Sequence, residues 1–366
     1  MDPKIIILSE AFGAGHTKVA EAVKEGIKLT KPDWQVDVIE LSYWLRPHLS
    51  RALSQVYLKT LQYSPRLWGL MYQQSLDKPV MPKIEFLLHR VLYTRIMHFI
   101  HTYQPSLIIC THPFPSTVIS RLKRMGLNIP LYTIVTDFAI HGSWVSDQVD
   151  RYFIPSPKLT NELVLRGIEH SQIFPMGIPL HPHFWSKNNK QTMRHKLGLA
   201  DKPTILCMGG SLGMGISNEF LHTLLPYHKE IQFMIVAGKN KSLFQSIQTQ
   251  ISKNKVNVQL YEYVDHIHEL MDAADLILTK PGGVTCAESI IKRLPMLVVN
   301  PIPGQEERNL HFMMEERAGV LIQNPTELKH VLNKFSLHPE AVTSQFHVQP
   351  FFAANGVVDE LIHSLS

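Results

Sequence analysis

The sequence predicts an α/β protein of two doubly wound parallel sheets in tandem. Three observations predict it. Short apolar runs alternate with amphipathic stretches of helical length along the chain, the pattern of strand–helix–strand crossovers. The runs fall into two series of six, separated by residues 178–203, which are rich in Pro, His, Asn and Lys and poor in apolar periodicity. A length of 366 residues suits two domains at about 150 residues each.

The first series of strands is expected at 5–9, 35–40, 107–111, 131–136, 151–154 and 173–176. The second is expected at 204–208, 232–236, 256–261, 276–279, 296–299 and 320–322. Open sheets of this kind bind ligands where strand carboxyl ends run into helix N-termini, so those loops are the candidate sites. The first is Ser9-Glu10-Ala11-Phe12-Gly13-Ala14-Gly15-His16, ahead of a helix at 17–28. Gly13 and Gly15 admit a tight turn and close approach of a ligand to the backbone, and the helix N-terminus favours anions. His16 reads either as a capping or packing residue or as a general base, since a neutral imidazole suits proton removal near pH 7. After the strand at 131–136, Asp137 reads equally as a turn cap or as a group orienting a histidine or hydroxyl. Thr111-His112-Pro113 ends the preceding strand.

The second series carries the denser motifs. Gly209-Gly210-Ser211-Leu212-Gly213-Met214-Gly215 holds four glycines, more than a turn needs, and suits phosphate cradling; no GK[ST] follows, so it is not a P-loop. Lys280-Pro281-Gly282-Gly283-Val284-Thr285-Cys286-Ala287-Glu288 opens a helix, and its Gly-Gly turn is expected to present the N–H groups of Val284, Thr285 and Cys286 to a pyrophosphate. Glu288 reads as a helix-dipole partner or as an acceptor for a ribose diol. Gln305, Glu306 and Asn309 form either a polar helix start or a set of groups reading sugar hydroxyls. There is no DxD triplet, so a divalent metal held by paired aspartates is not expected.

Composition narrows the class further. Cys110, Cys207 and Cys286 are odd in number and far apart, which excludes a disulfide framework or a CxxC metal site and suits a reducing compartment. No apolar run reaches the roughly 18 residues that span a bilayer, and the N-terminus lacks signal-peptide flanks. Net charge is +5, yet residues 46–101 alone carry an excess of six positive charges, from Arg46, Arg51, Lys59, Arg66, Lys78, Lys83, Arg90 and Arg95 against Asp77 and Glu85. Tyr57, Trp68, Tyr72 and Tyr93 are among the aromatics between those cations. Such a stretch reads as solvated amphipathic helices or as a membrane-surface segment. No nucleic-acid module is present, and no nucleic-acid partner is expected.

Taken together, from about residue 5 to 309, these loops resemble the monogalactosyldiacylglycerol synthase and processive diacylglycerol glucosyltransferase family, and more distantly the peptidoglycan lipid-linked N-acetylglucosaminyltransferase. The residues that carry the resemblance are the FGxGH start, Thr136-Asp137-Phe138 with His141 and Trp144, 209–215, 280–288, and Pro303-Gly304-Gln305-Glu306 with Asn309. The resemblance implies the GT-B fold, two Rossmann-like domains facing across a cleft. An acceptor and membrane domain would occupy 1–180 and a UDP-sugar domain 200–345, with a C-terminal helix at about 350–366 returning to the first domain. It implies an inverting transferase moving glucose or galactose from a UDP-sugar to diacylglycerol or glycosyl-diacylglycerol, peripheral on the anionic cytoplasmic face of the cell membrane, with no metal cofactor. His16 would be the catalytic base or the acceptor-binding residue, and Asp137 would support the acceptor side. Glu288 would hold the ribose and Val264 would lie near the uracil. Gly283, Val284 and Thr285, helped by Gly210, Ser211 and Gly213, would hold the diphosphate. Gln305 and Glu306 would read the hexose. Another lipid acceptor such as a polyprenyl-linked sugar, a UDP-sugar epimerase and a non-catalytic sensing module are the alternatives.

Overall fold

The computed structural model of the chain describes residues 2–10, 13–63, 95–210, 215–254 and 256–365. It divides into two compact units. The first comprises Met1–Trp185, Pro303–Gln305 and Phe351–Ser366, and the second Ser186–Ile302 and Glu306–Pro350.

The first unit is built on β1 (Lys4–Ser9), β2 (Gln35–Glu40), β3 (Leu107–Cys110), β4 (Leu131–Ile134), β5 (Arg151–Phe153) and β6 (Ile173–Phe174), all parallel, in the order β2-β1-β3-β4-β5-β6. Ile5, Ile6, Ile7 and Leu8 are all fully buried, as are the four residues of β3. That is why these strands read as unbroken apolar runs: side chains on both faces meet helices. Strand order reverses between β1 and β3, the switch point where a crevice opens outside the strand ends. The helix Ala14–Thr30 after β1 buries Val19, Ala20, Val23 and Ile27 at helical spacing. The helix Gly356–Leu365 packs on it at Gly26, where an added Cβ would stand 2.8 Å from Val358 and 2.9 Å from Trp185.

The second unit holds β7 (Thr204–Met208), β8 (Gln232–Val236), β9 (Gln259–Tyr261), β10 (Leu276–Thr279), β11 (Met296–Val298) and β12 (Gly319–Leu321), again parallel, in the order β12-β11-β10-β7-β8-β9. Its switch point lies between β7 and β10.

The polar stretch at 178–203 is not a bare linker. It contains the helix Lys190–Lys196, capped by the Asn189 side chain, and its residues from Ser186 onward belong to the second unit. Apolar periodicity misses this helix because polar bonds seat it. Arg194, 8% exposed, donates to the Ala273 carbonyl at 3.1 Å and to Asp275 at 2.7 Å. Just upstream, Lys292 Nζ donates to the Ser186 carbonyl and to Asp272 Oδ2, both at 2.8 Å, and Asn188 donates to the same carboxylate from its backbone and side chain.

Both side chains of the Lys292–Asp272 pair are fully buried. Asp272→Ala leaves an ammonium without its counter-charge in the core, which costs about 3–5 kcal/mol. Scanning calorimetry should show a markedly lower unfolding midpoint for the second unit; an unchanged midpoint would contradict this account.

Candidate active site

In the first unit, the loops after β1, β3 and β4 converge because those strands are neighbours. Gly13, at φ 98°, caps the helix in a conformation open to glycine, and the helix begins at Ala14 rather than at 17, so Gly15 and His16 lie in its first turn. His16 Nδ1 stands 2.9 Å from the Thr111 carbonyl oxygen. A carbonyl only accepts, so Nδ1 carries the proton and neutral His16 keeps its lone pair on Nε2. Thr136 Oγ1 also lies 2.9 Å from Nδ1, and the Thr111 hydroxyl donates back to the His16 carbonyl at 3.0 Å. Burial lowers the His16 pKa below its ordinary 6.5, against the upward pull of the Asp137 charge and the Thr111 carbonyl. The imidazole is therefore neutral at pH 7.

Asp137, 5% exposed, is not hydrogen-bonded to His16 directly. It reaches the ring through Thr136, whose hydroxyl makes a long 3.5 Å bond to Asp137 Oδ2. The same carboxylate oxygen accepts from the Gln305 side-chain amide, Pro303–Gln305 being part of the first unit. His112 packs edge-on to His16 at 4.6 Å between ring centres, and the fully buried Trp144 lies 6.1 Å away. Glu10, buried at the end of β1, accepts from the backbone N–H and hydroxyl of Ser42 and so fixes the start of the helix Leu41–Leu45.

In the second unit, the loops after β7, β10 and β11 are neighbours in the same way. Ser211 and Gly213 fall at 211–214, outside the described residues. Gly210 has φ 72°, and the Gly215 N–H closes the loop onto the Gly209 carbonyl at 2.9 Å. After β10 the helix Gly283–Lys292 is capped by Gly282. The Cys286 N–H bonds the Gly282 carbonyl at 2.9 Å, so it belongs to the helix and is not presented to a ligand. The helix start instead leaves the N–H groups of Gly283, Val284 and Thr285 outside the intrahelical ladder, and the cap residue Gly282 makes no side-chain bond to them. The presented set is shifted by one residue from expectation, because Gly282 is the cap and not a turn residue before it. Glu288, 4% exposed, sits on the second turn.

Lys280 Nζ is 3.2 Å from Glu306 Oε1, and Glu306 Oε2 accepts from the Ile302 N–H at 2.7 Å. Asn309, fully buried, donates to the Pro281 carbonyl at 3.0 Å and so holds the Pro281-Gly282 turn. Val264 is half-buried beside the exposed Tyr263, whose ring carries Lys239 Nζ at 5.2 Å. Sequence reasoning assigned no role to Thr136 or Lys280, although both stood in the motifs it singled out. Among the described residues no cluster of three or more His, Cys, Asp or Glu is arranged to hold a metal ion, and no described helix is long and apolar enough to cross a membrane.

Residues 16–180 match the family described as monogalactosyldiacylglycerol (MGDG) synthase, and residues 204–340 match the glycosyltransferase family 28 C-terminal domain. A processive diacylglycerol beta-glucosyltransferase of Bacillus pumilus (strain SAFR-032) is 30% identical over 328 residues, covering 89% of this chain and 84% of its own. Among solved structures, Acinetobacter baumannii MurG aligns with a TM-score of 0.61 at 15% identity, over 99% of this chain and 100% of its own. The UDP-GlcNAc 2-epimerase of Neisseria meningitidis, bound to UDP-GlcNAc, aligns at 0.57 and 14% identity, over 99% and 98%. At such identities the likeness concerns the fold.

In nitrogen NMR near pH 7.5, the His16 ring should be the neutral Nδ1–H tautomer, and its protonation midpoint should fall below 6.5. An Nε2–H tautomer would overturn the assignment.

Proposed function

The chain belongs to the family of diacylglycerol glycosyltransferases, with the two α/β units of the GT-B fold, and from that premise we propose how it transfers a hexose from a UDP-sugar to diacylglycerol or a glycosylated diacylglycerol. The observation that carries the reading is His16 with its proton held on Nδ1 by the Thr111 carbonyl. The acceptor hydroxyl gives its proton to Nε2. Its oxygen then attacks the anomeric carbon on the face opposite the diphosphate, which leaves with the electron pair of the broken C–O bond and inverts the centre. Thr136 and Asp137 sit behind the ring, where negative charge stabilises the imidazolium that forms. The N–H groups of Gly283, Val284 and Thr285 receive the diphosphate, Glu288 the ribose hydroxyls, Val264 the uracil and Gln305 the hexose.

The acceptor is a lipid, and the described ends of the cationic window suit a membrane surface on the cytoplasmic side. Arg46, Arg51 and Arg95 are exposed, and so are Tyr43, Val56 and Met97. Arg51 donates to the Tyr43 hydroxyl at 2.7 Å and stacks on its ring. Residues 64–94, with Arg66, Lys78, Lys83 and Arg90, lie outside the described residues.

Radiolabelled UDP-glucose and UDP-galactose, incubated with diacylglycerol liposomes, should label the lipid phase with one of the two sugars. Conversion of the UDP-sugar without lipid would point to an epimerase instead. His16→Ala should lower turnover by about 10²–10⁴, and kcat/KM of the native enzyme should be flat from about pH 7 to 8 and fall as pH drops through a pKa below 6.5, because the protonated ring cannot accept. Glu288→Ala should weaken UDP binding roughly tenfold or more; unchanged affinity would remove the ribose assignment.

Binding to anionic vesicles should weaken with salt. The triple change Arg46→Gln, Arg51→Gln and Arg95→Gln should weaken it further, at about 1 kcal/mol per charge, and leave UDP affinity as it is. Salt-independent binding would contradict a cationic docking surface.

A further inference from the structure

Lys280 is the last residue before the Pro281-Gly282-Gly283 turn, and its stem runs back across the neighbouring loop. A Cβ at Gly215 would stand 3.0 Å from Lys280 Cγ and 3.1 Å from the Met208 carbonyl oxygen, and one at Gly210 would stand 4.0 Å from Lys280 Cε. Gly215 therefore leaves the space in which the lysine stem lies, whereas a Cβ at Gly210 would only touch it at ordinary van der Waals distance. At its far end the ammonium meets Glu306, and the two side chains are only 13% and 16% exposed. The Glu306 carboxylate is itself fixed by the Ile302 N–H. The lysine thus comes from the loop after β10, lies against Gly215 of the loop after β7 and is held from the start of the helix Gln305–Glu315 that follows β11, three strand ends around the switch point.

We infer that Lys280 is the positive charge that neutralises the diphosphate of the sugar nucleotide as it departs, and that Glu306 is the residue that positions it. This rests on the UDP-sugar reading above. In the transfer step, the bond between the anomeric carbon and the β-phosphate oxygen breaks. Its electron pair stays on the phosphate, and the acceptor's proton goes to His16. The charge that grows on the diphosphate meets the Lys280 ammonium and the N–H groups of Gly283, Val284 and Thr285. Lys280 passes no proton and forms no covalent bond. Backbone dipoles supply partial charges only, whereas the ammonium, held in place by Glu306, adds a charged N–H donor at a fixed position. Glu306 is then a keeper of the lysine rather than a reader of hexose hydroxyls.

Calorimetric titration of the full chain with UDP and with UMP tests this, because the two ligands differ by one phosphate. The native protein should prefer UDP. Lys280→Met should cut that preference about 10- to 100-fold while UMP affinity stays within about twofold, and turnover with diacylglycerol liposomes should fall by about 10²–10³. Lys280→Arg, measured alongside, should recover much of the preference because it keeps the charge. A purely structural ion pair would instead weaken both ligands together. A UDP-over-UMP preference that survives in Lys280→Met, or in Lys280→Gln if the methionine variant does not fold, overturns the assignment. A native protein that binds no UDP overturns the donor reading itself, and this inference with it.

Discussion

Everything at the two candidate sites depends on parallel strand pairing. A parallel sheet delivers the carboxyl ends of all its strands to one edge, and strand order decides which loops meet there. In the first unit β1, β3 and β4 lie side by side, so residue 16 meets residues 111 and 136. In the second, β11, β10 and β7 are adjacent, so residues 210, 215, 280 and 306 gather. The strands themselves can carry no chemistry. β3, β4, β7 and β10 are buried along their whole length, and a polar group there would need a buried partner at every position. Function is displaced to the first residues beyond each strand by the same burial that makes the sheet stable.

That logic explains what could be read from the sequence. The strands were legible because their runs are apolar on both faces, and the loops because glycines, prolines and polar residues follow those runs directly. What stayed hidden depends on partners rather than on residue type. Nothing local to Thr111 says that its backbone oxygen selects the tautomer of a histidine 95 positions away; that follows only from the β1–β3 pairing. The helix Lys190–Lys196 escaped because Arg194 and Asp275, not an apolar stripe, seat it. Gly215 reads as one more phosphate-loop glycine until the Lys280 stem is seen in the space its side chain would fill. The displacement from Cys286 to Gly283 in the presented N–H groups is one residue of helix phase, a quantity that a Gly-Gly pair leaves open in sequence because either glycine can cap.

The two units manage charge by opposite means, and the difference follows from what each has to do. In the proposed mechanism a base must be neutral before it acts, and His16 sits where burial works against its charged form, while a carboxylate two hydrogen bonds away would compensate the proton once it arrives. Were Asp137 in direct contact with the ring, its field would raise the pKa more strongly and leave a larger share of the base already protonated at pH 7; Thr136 between them moderates that pull. In the same proposal the second unit meets an anion, and there the charge is kept and guided. Lys280 Nζ faces the Glu306 carboxylate, whose other oxygen accepts from the Ile302 N–H. A lone buried lysine would drift toward neutrality, and a fully solvated one would be screened and mobile; pairing at low exposure avoids both. Lys292 and Asp272 show the limit of the same device, fully buried and closed by three further donor–acceptor contacts from 186–188, where the pair serves only to hold the chain. The proposed distinction between a charge that works and a charge that holds is therefore one of residual exposure at a strand end, 13% at Lys280 against none at Lys292.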